Sequence, residues 1–372
     1  MAGEAAADRR FMRRALALAR RGLGWTDPNP MVGCVLVRDG RIVGEGYHAR
    51  VGSAHAEAAA LDRAGDEAAG ATAYVTLEPC SHQGRTPPCA DRLVEAGVTR
   101  VVAAMEDPDE RVSGRGLERL RRGRVKVTTG VLGGCAETLN AGFVKRARTG
   151  RPWVTLKLAA SLDGRTATRS GESQWITSEA ARADVHRQRH AHAAIITGSG
   201  TVVADDPSLT ARVPEGGAHP LRVVLDRRLC TTPGAQVVTG PGRCLVMTTP
   251  DASPERRKAL EAAGTEVTTV PADDAGRPDL AAVWDELGHR EINSVLAECG
   301  ATLAGALLRG FWVDRLVAYQ APNIIGAGGR AMFGGEPIDH MEQRVGLDIL
   351  ERRAVGPDLR VTAVPRSPGL TP

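Results

Sequence analysis

The sequence predicts an α/β protein made of two domains, each a sheet covered by helices. Three observations lead there. Short apolar runs of strand length alternate with helical segments along nearly all of the 372 residues, as expected when helices cover a sheet. A chain of that length suits two domains at roughly 150 residues each. The alternation breaks at Arg148-Thr149-Gly150-Arg151-Pro152, so residues 1–148 and 152–372 are expected to form one domain each.

Composition narrows the class further. Apolar residues make up 42% and charged residues 25%, which is ordinary for a globular protein. Aromatics are only 3%, so the cores must be built from Ala, Val and Leu. The net charge of +4 is mild. It suits an anionic small molecule and does not call for nucleic acid. Seven cysteines, an odd number spread over a long chain, do not make a disulfide framework. With no secretory signal visible, a reducing cytoplasm is the expected compartment. No apolar run is long enough to cross a bilayer, and no membrane partner is expected.

The elements follow in order. Phe11, Met12, Ala15, Leu16, Ala19 and Leu23 recur at helical spacing and Gly24 closes the segment, which predicts an amphipathic first helix. Its arginines at 9, 10, 13, 14, 20 and 21 read as a solvated face. Thr26-Asp27-Pro28-Asn29-Pro30 is a turn. Residues 32–37 and 42–47 read as strands joined by a hairpin at Arg38-Asp39-Gly40-Arg41. A helix is expected over 55–64. A strand over 73–77 runs into Glu78-Pro79-Cys80. Cys89 opens a helix over 90–96, and 98–105 is a strand. In the second half, 153–159, 193–197, 221–225, 244–248, 294–297 and 316–319 read as strands. The Pro- and Ser-rich last residues are expected to be disordered.

The first half carries a metal constellation. His55-Ala56-Glu57 starts a helix, Pro79-Cys80 ends a strand, and Cys89 begins another helix. One imidazole and two thiolates suit Zn²⁺, and three protein ligands leave a fourth position open, the pattern of catalytic sites. Water bound there ionises near neutral pH. Glu57, two residues from His55, is placed to shuttle a proton from that water to the ring and the departing amine. His-x-Glu followed by Pro-Cys-x-x-Cys marks zinc deaminases. Here eight residues separate the cysteines instead of two. The competing reading is a structural zinc with His48 or His82 as fourth ligand.

Two glycine turns stand out in the second half. Ile195-Ile196-Thr197-Gly198-Ser199-Gly200-Thr201 half-matches a dinucleotide fingerprint, with Val203 where the third glycine belongs. Glu298-Cys299-Gly300-Ala301-Thr302-Leu303 is a second strand–turn–helix whose N–H groups could cradle a phosphate. Ordinary tight turns explain both equally well.

The long loop Cys80-Ser81-His82-Gln83-Gly84-Arg85-Thr86-Pro87-Pro88-Cys89 resolves the unusual cysteine spacing. With Pro28-Asn29-Pro30-Met31-Val32-Gly33 and Gly44-Glu45-Gly46-Tyr47-His48, it resembles the bifunctional riboflavin-biosynthesis deaminase/reductase (RibD/RibG) family. The resemblance continues through Lys157-Leu158-Ala159-Ala160-Ser161-Leu162-Asp163-Gly164-Arg165 and Gly171-Glu172-Ser173-Gln174-Trp175-Ile176-Thr177, and covers roughly residues 9 to 364. Ala54 departs from the family's usual proline; this touches the helix start and not the chemistry.

The resemblance implies a cytidine-deaminase-like first domain and a dihydrofolate-reductase-like second. The first would hydrolyse the 2-amino group of 2,5-diamino-6-(5-phosphoribosylamino)pyrimidin-4-one. The second would reduce the ribosyl group with NADPH. His55, Cys80 and Cys89 would hold zinc, Glu57 would be the proton donor and Asn29 would contact the ring. His82 and Arg85 are candidates for substrate contacts. Ala159, Trp175, Thr201 and Asp205 match NADP positions, as does the run Gly300, Ala301, Thr302, Leu303, Ala304, Gly305 and Ala306. Ser173, Arg189, Leu209, Arg212 and Glu298 match substrate positions, the two arginines as a phosphate clamp. Arg227 stands where the family commonly has Ser and is expected to read the NADPH 2′-phosphate. Lys157 and Glu298 are the candidate proton donors for reduction. Homo-oligomers, through the second domain, are implied as well. The alternative is a deaminase of another base, with the basic first helix as an RNA contact and an inactive NADP-binding second domain.

Overall fold

The structure, a computed structural model, describes residues 2–366 apart from 82–86, 111, 215, 218 and 336. The chain divides into two compact units after Gly150. The C-terminal residues expected to be disordered, from Ser367 on, lie outside the described residues. No described helix is long and apolar enough to cross a membrane.

The first unit opens with α1 (Ala2–Ala19). Phe11, Met12, Ala15, Leu16 and Ala19 are buried on one side of it. Its apolar spacing runs past its end: Arg20–Gly22 tighten into a 3-10 turn, and Leu23 is 41% exposed. Then come β1 (Gly33–Arg38), β2 (Arg41–Tyr47), α2 (Ala56–Ala64), β3 (Thr72–Val75) and α3 (Cys89–Glu95). β4 (Arg100–Ala103), α4 (Arg115–Arg122), β5 (Lys126–Thr129), α5 (Gly133–Leu139) and α6 (Ala141–Thr149) complete it.

The five strands lie in the order β2-β1-β3-β4-β5. β1 pairs antiparallel with β2 and β3, whereas β3, β4 and β5 run parallel. Alternation along each strand feeds two cores, one on each face. Cys34 and Leu36 join Val75, Val101, Leu93 and Leu120. Val35 joins Phe11, Met12, Tyr74 and Val102 on the other face. Gly46 lets α2 approach β2, because a Cβ there would lie 2.2 Å from the Ala56 carbonyl oxygen. That close packing sets where the first turn of α2 stands.

The second unit has a nine-stranded sheet in the order β11-β10-β9-β8-β12-β6-β13-β16-β15. Its elements are β6 (Trp153–Ser161), β7 (Arg165–Ala167), α7 (Glu179–His190), β8 (Ala194–Gly198), α8 (Ser199–Asp205) and β9 (Leu221–Leu225). They continue with α9 (Gln236–Thr239), β10 (Cys244–Thr248), α10 (Pro254–Ala262), β11 (Glu266–Thr269), α11 (Leu280–His289) and β12 (Ser294–Glu298). Last come α12 (Ala301–Arg309), β13 (Arg315–Ala321), β14 (Arg330–Ala331), β15 (Leu347–Val355) and β16 (Asp358–Pro365). Strands from β11 to β13 are parallel, with fully buried, β-branched-rich runs such as β9 and β10.

The strands missing from the sequence reading include the sheet edges β5, β11 and β15, and also β16, which lies between β13 and β15. β5 reads Lys-Val-Thr-Thr, and β15 is exposed along almost its whole length. An edge strand lacks the covered faces that make a strand apolar, so periodicity does not mark it.

Candidate active sites

In the first unit, His55 is the N-cap of α2, Cys89 is the first residue of α3, and Cys80 follows the end of β3. These three converge. One ligand atom from each lies within 4.8 Å of the others, the one such His/Cys/Asp/Glu group among the described residues. His55 Nδ1 is 3.3 Å from Cys89 Sγ and 3.6 Å from Cys80 Sγ. The Cys89 N–H donates to Cys80 Sγ at 3.3 Å. Ordinary Zn–N and Zn–S bonds in a tetrahedron place nitrogen and sulfur about 3.6 Å apart. The trio therefore has both the donor chemistry and the span for zinc.

The electrostatics separate the two thiols. A hydrogen bond from Cys89 draws the Cys80 thiol down to about 4, with His55 adding to the effect, while the same contact and burial push Cys89 up. Glu57 is 4% exposed in the first turn of α2. Burial, then the charge of Cys80, pushes its carboxyl up to about 7. A carboxyl so placed can both take and return a proton near neutral pH.

His48 does not join the metal group. Its Nε2 meets Asn29 Nδ2 at 3.2 Å, its Nδ1 meets the Ala54 carbonyl at 3.2 Å, and its ring stands edge-on to His55. Asn29 is thus fixed beside the ligand cluster while remaining exposed. His82 and Arg85 lie outside the described residues.

In the second unit a cavity of about 730 Å³ opens over the C-terminal ends of β6, β8 and β12. Ligands settle at that end of open parallel sheets. The two glycine turns meet there, Gly198 to Thr201 at the start of α8 and Gly300 to Leu303 at the start of α12. No side chain caps either helix, so their first N–H groups are available to a phosphate. Ala159, Asp205, Leu209, Arg227 and Ala306 also line the cavity.

At its floor Glu298 is 9% exposed and accepts from Arg189 Nε at 2.5 Å, Arg189 Nη2 at 3.0 Å and Lys157 Nζ at 3.4 Å. Burial alone would raise Glu298, but Arg189 and Lys157 outweigh it and hold the carboxyl at about 2. At the rim, Arg227 donates to the Ala275 carbonyl at 3.1 Å and faces Asp251 at 3.5 Å. A neighbouring cavity of about 530 Å³ is lined by Arg227, Arg228 and Arg277 together with Ser199, Asp226, Cys230 and Ala275.

Other expected residues stand outside that lining. Trp175 is 69% exposed, under the Arg182 guanidinium at 4.5 Å. Ser173 donates to Asp205 at 3.1 Å and so touches a lining residue. Arg212 is exposed, and Nη1 reaches Ser208 and Thr210 at 3.3 Å. Ala304 belongs to the core, and Gly305 faces the Gly334 carbonyl.

The structure adds Arg277, Arg330 and Met332 to the lining. Outside the lining, His186 Nδ1 accepts the backbone N–H of Arg212 at 3.3 Å. Arg277 sits in a polar loop, and Arg330 opens the two-residue strand β14 after a glycine-rich stretch; neither carries a periodic signal.

Residues 5–105 match the family model for the cytidine and deoxycytidylate deaminase zinc-binding region, and residues 152–361 match the RibD C-terminal domain. The chain is 47% identical over 364 residues to the riboflavin biosynthesis protein RibD of Escherichia coli (strain K12), covering 95% of this chain and 98% of that protein. It is 43% identical over 358 residues to RibD of Bacillus amyloliquefaciens, covering 96% of each. Among solved structures, Acinetobacter baumannii RibD superposes with a TM-score of 0.90 at 41% identity, covering 98% of this chain and 100% of that one. The diaminohydroxyphosphoribosylaminopyrimidine deaminase/5-amino-6-(5-phosphoribosylamino)uracil reductase of Thermotoga maritima gives 0.86 at 34% identity, with the same coverage.

Proposed function

The chain belongs to the RibD family of riboflavin biosynthesis, and from that membership we propose which of its groups carry each of the two reactions. It is a bifunctional enzyme. It hydrolyses the 2-amino group of 2,5-diamino-6-(5-phosphoribosylamino)pyrimidin-4(3H)-one, then reduces 5-amino-6-(5-phosphoribosylamino)uracil to the ribityl product, with zinc and NADPH.

For deamination the carrying observation is the convergence of His55, Cys80 and Cys89 beside a buried carboxyl. Those three hold zinc, which supplies the Lewis acidity that makes water a usable nucleophile at neutral pH. Glu57 accepts one proton of the attacking water and delivers it to the ring nitrogen, then takes the remaining hydroxyl proton of the tetrahedral adduct and passes it to the amine, which leaves as ammonia as the C=O forms. Asn29, held by His48, orients the ring. His82 and Arg85 are assigned to substrate contacts from the family pattern alone.

For reduction, NADPH supplies the hydride. The uncapped starts of α8 and α12 would hold its pyrophosphate, through the lining residues Thr201, Gly300, Ala301, Thr302 and Leu303. Ala159, Asp205 and Ala306 border the same space; Ala304 and Gly305 belong to the helix behind it, and Trp175, outside that lining, is assigned to the cofactor from the family pattern alone. Lys157, on the Glu298 carboxylate, protonates the opening sugar. Arg189 is already engaged twice by Glu298. The substrate phosphate therefore falls mainly to Arg212, which has no carboxylate partner among the described residues, with Ser173 and Leu209 closing the pocket. A product mass spectrum tests the whole reading. Deamination is expected without NADPH and a gain of two hydrogens with it; no deamination by zinc-loaded protein sinks the first half.

Arg227 takes the NADPH 2′-phosphate, in the arginine-lined cavity it shares with Arg228 and Arg277. Arg227→Ser is expected to raise the KM for NADPH by about 10- to 100-fold, since a hydrogen bond to a charged group contributes about 1.5–3 kcal/mol. The KM for NADH should stay level. Equal changes for both cofactors rule the assignment out.

We also place the enzyme in the cytoplasm, because all seven cysteines are free thiols and a thiolate metal site needs a reducing compartment. The second unit carries a homo-oligomer contact along the edge strand β15, where Leu347, Ile349 and Leu350 are exposed and Leu350 is 60% exposed. Such an edge pairs readily with a second copy. Leu350→Glu should convert a wild-type dimer to monomer in sedimentation velocity; a wild-type monomer at high concentration removes the idea.

A further inference from the structure

We propose that Glu78 is a positioning residue of the metal centre: its carboxylate fastens the backbone that presents Cys80 to the start of α4. The proposal rests on the zinc reading of His55, Cys80 and Cys89. Glu78 is 5% exposed. Its Oε1 accepts the N–H groups of Gly116 at 2.8 Å and Leu117 at 3.3 Å. Its Oε2 accepts those of Gly114 at 2.9 Å and Asp107 at 3.1 Å. One carboxylate thus fills the open N-terminus of α4, where a negative charge is favoured. It also ties down the chain leaving β4, and its own N–H donates to the Met105 carbonyl.

The clamp reaches the ligand through a short, stiff path. Pro79, with its fixed φ, is the one residue between Glu78 and Cys80. Gly116 of α4 packs on the Pro79 carbonyl so closely that a Cβ there would lie 1.9 Å from its oxygen. On the far side of Cys80, Arg119 of α4 donates to the Ser81 carbonyl at 2.9 Å. The same arginine pairs with Asp91, two residues beyond Cys89. One face of α4 therefore holds the chain before and after Cys80 and reaches the helix that begins with Cys89. None of these groups is a metal ligand, yet together they set the sulfur positions. Outer contacts of this kind commonly govern metal affinity.

The test uses the full-length protein. Zinc affinity is measured by competition with a colorimetric chelator, and thiolate ligation by the charge-transfer bands of the cobalt-substituted protein. Glu78→Gln puts an amide donor against a row of N–H donors. It should weaken zinc by about 10- to 100-fold and diminish the thiolate–cobalt band, with NADPH-dependent reduction unchanged. Arg119→Gln, on the half-exposed side of the clamp, should weaken zinc several-fold and carries the test if Glu78→Gln does not fold. Asp8→Asn is the control. It breaks the contacts of Asp8 with Tyr74 and Arg100 in the same domain, and should bind zinc as wild type does. Wild-type zinc affinity and spectrum in both clamp variants would overturn the proposal, as would an equal zinc loss in Asp8→Asn. A wild-type protein that takes up no zinc overturns the metal reading itself, which separates the two failures.

Discussion

Replacing Glu57 by Gln should lower deamination by about 10²- to 10⁴-fold, the usual contribution of a positioned acid–base group. Zinc content and NADPH-dependent reduction should stay at wild-type levels. The expectation comes from position as much as residue type. Glu57 is two residues past the His55 N-cap and buried, and burial and the Cys80 thiolate push its carboxyl up to about 7. Gln fills the same volume in the same hydrogen-bonding surroundings but can neither accept the water proton nor protonate the amine. Product mass spectra at fixed zinc occupancy read the effect. Deamination within a few-fold of wild type in a zinc-loaded Glu57→Gln protein would move the proton shuttle to another group.

The second large effect is expected at Glu298. Glu298→Gln should reduce NADPH-dependent reduction by about 10- to 100-fold, since it removes charged hydrogen bonds that hold Lys157 and Arg189 in the cavity. Deamination should be untouched. The same variant should change the pH dependence of stability. The folded carboxyl stands at about 2, against 4.5 for an ordinary glutamate. A carboxyl depressed on folding contributes stability that is fully present above its unfolded pKa and is lost as pH falls through its folded pKa. The window therefore runs from about 4.5 down to about 2, with a contribution on the order of 3 kcal/mol. Denaturant melts at pH 6 and pH 3 measure it. Wild type should lose more stability than Glu298→Gln on going from pH 6 to pH 3; parallel losses would show that Glu298 is not strongly ion-paired.

Much of the first site was legible because its chemistry is local. His55 and Glu57 share one helix start, and Cys80 and Cys89 flank one loop, so side-chain type and short spacing carry the signal. The clamp behind them was not legible. Glu78 reads as one more polar residue before a proline, and its partners are backbone N–H groups 29 to 39 positions away. Backbone donors leave no trace in side-chain identity. In the second domain the glycine turns were visible, but their meaning as one cavity needed β8 and β12 to be neighbours in the sheet. Arg277 reaches that cavity from a polar loop, and Arg330 from the two-residue strand β14 after a glycine-rich stretch.

By itself the sequence determined the number of domains, the alternation of strands and helices, the aliphatic cores and the three side chains that the structure brings together as a candidate metal group. These follow from periodicity and residue chemistry, which act over a few positions. Only the tertiary structure decided strand order, the exposed hairpin β15–β16, the engagement of Arg189 by Glu298, and the grip of α4 on the Cys80 segment. The β15–β16 hairpin is a local pairing, but its exposed strand β15 carries no buried apolar face to mark it; the others depend on pairing across more than 25 residues or on the packing of whole elements. There the deciding energies come from burial and hydrogen-bond completion in three dimensions rather than from any pattern along the chain.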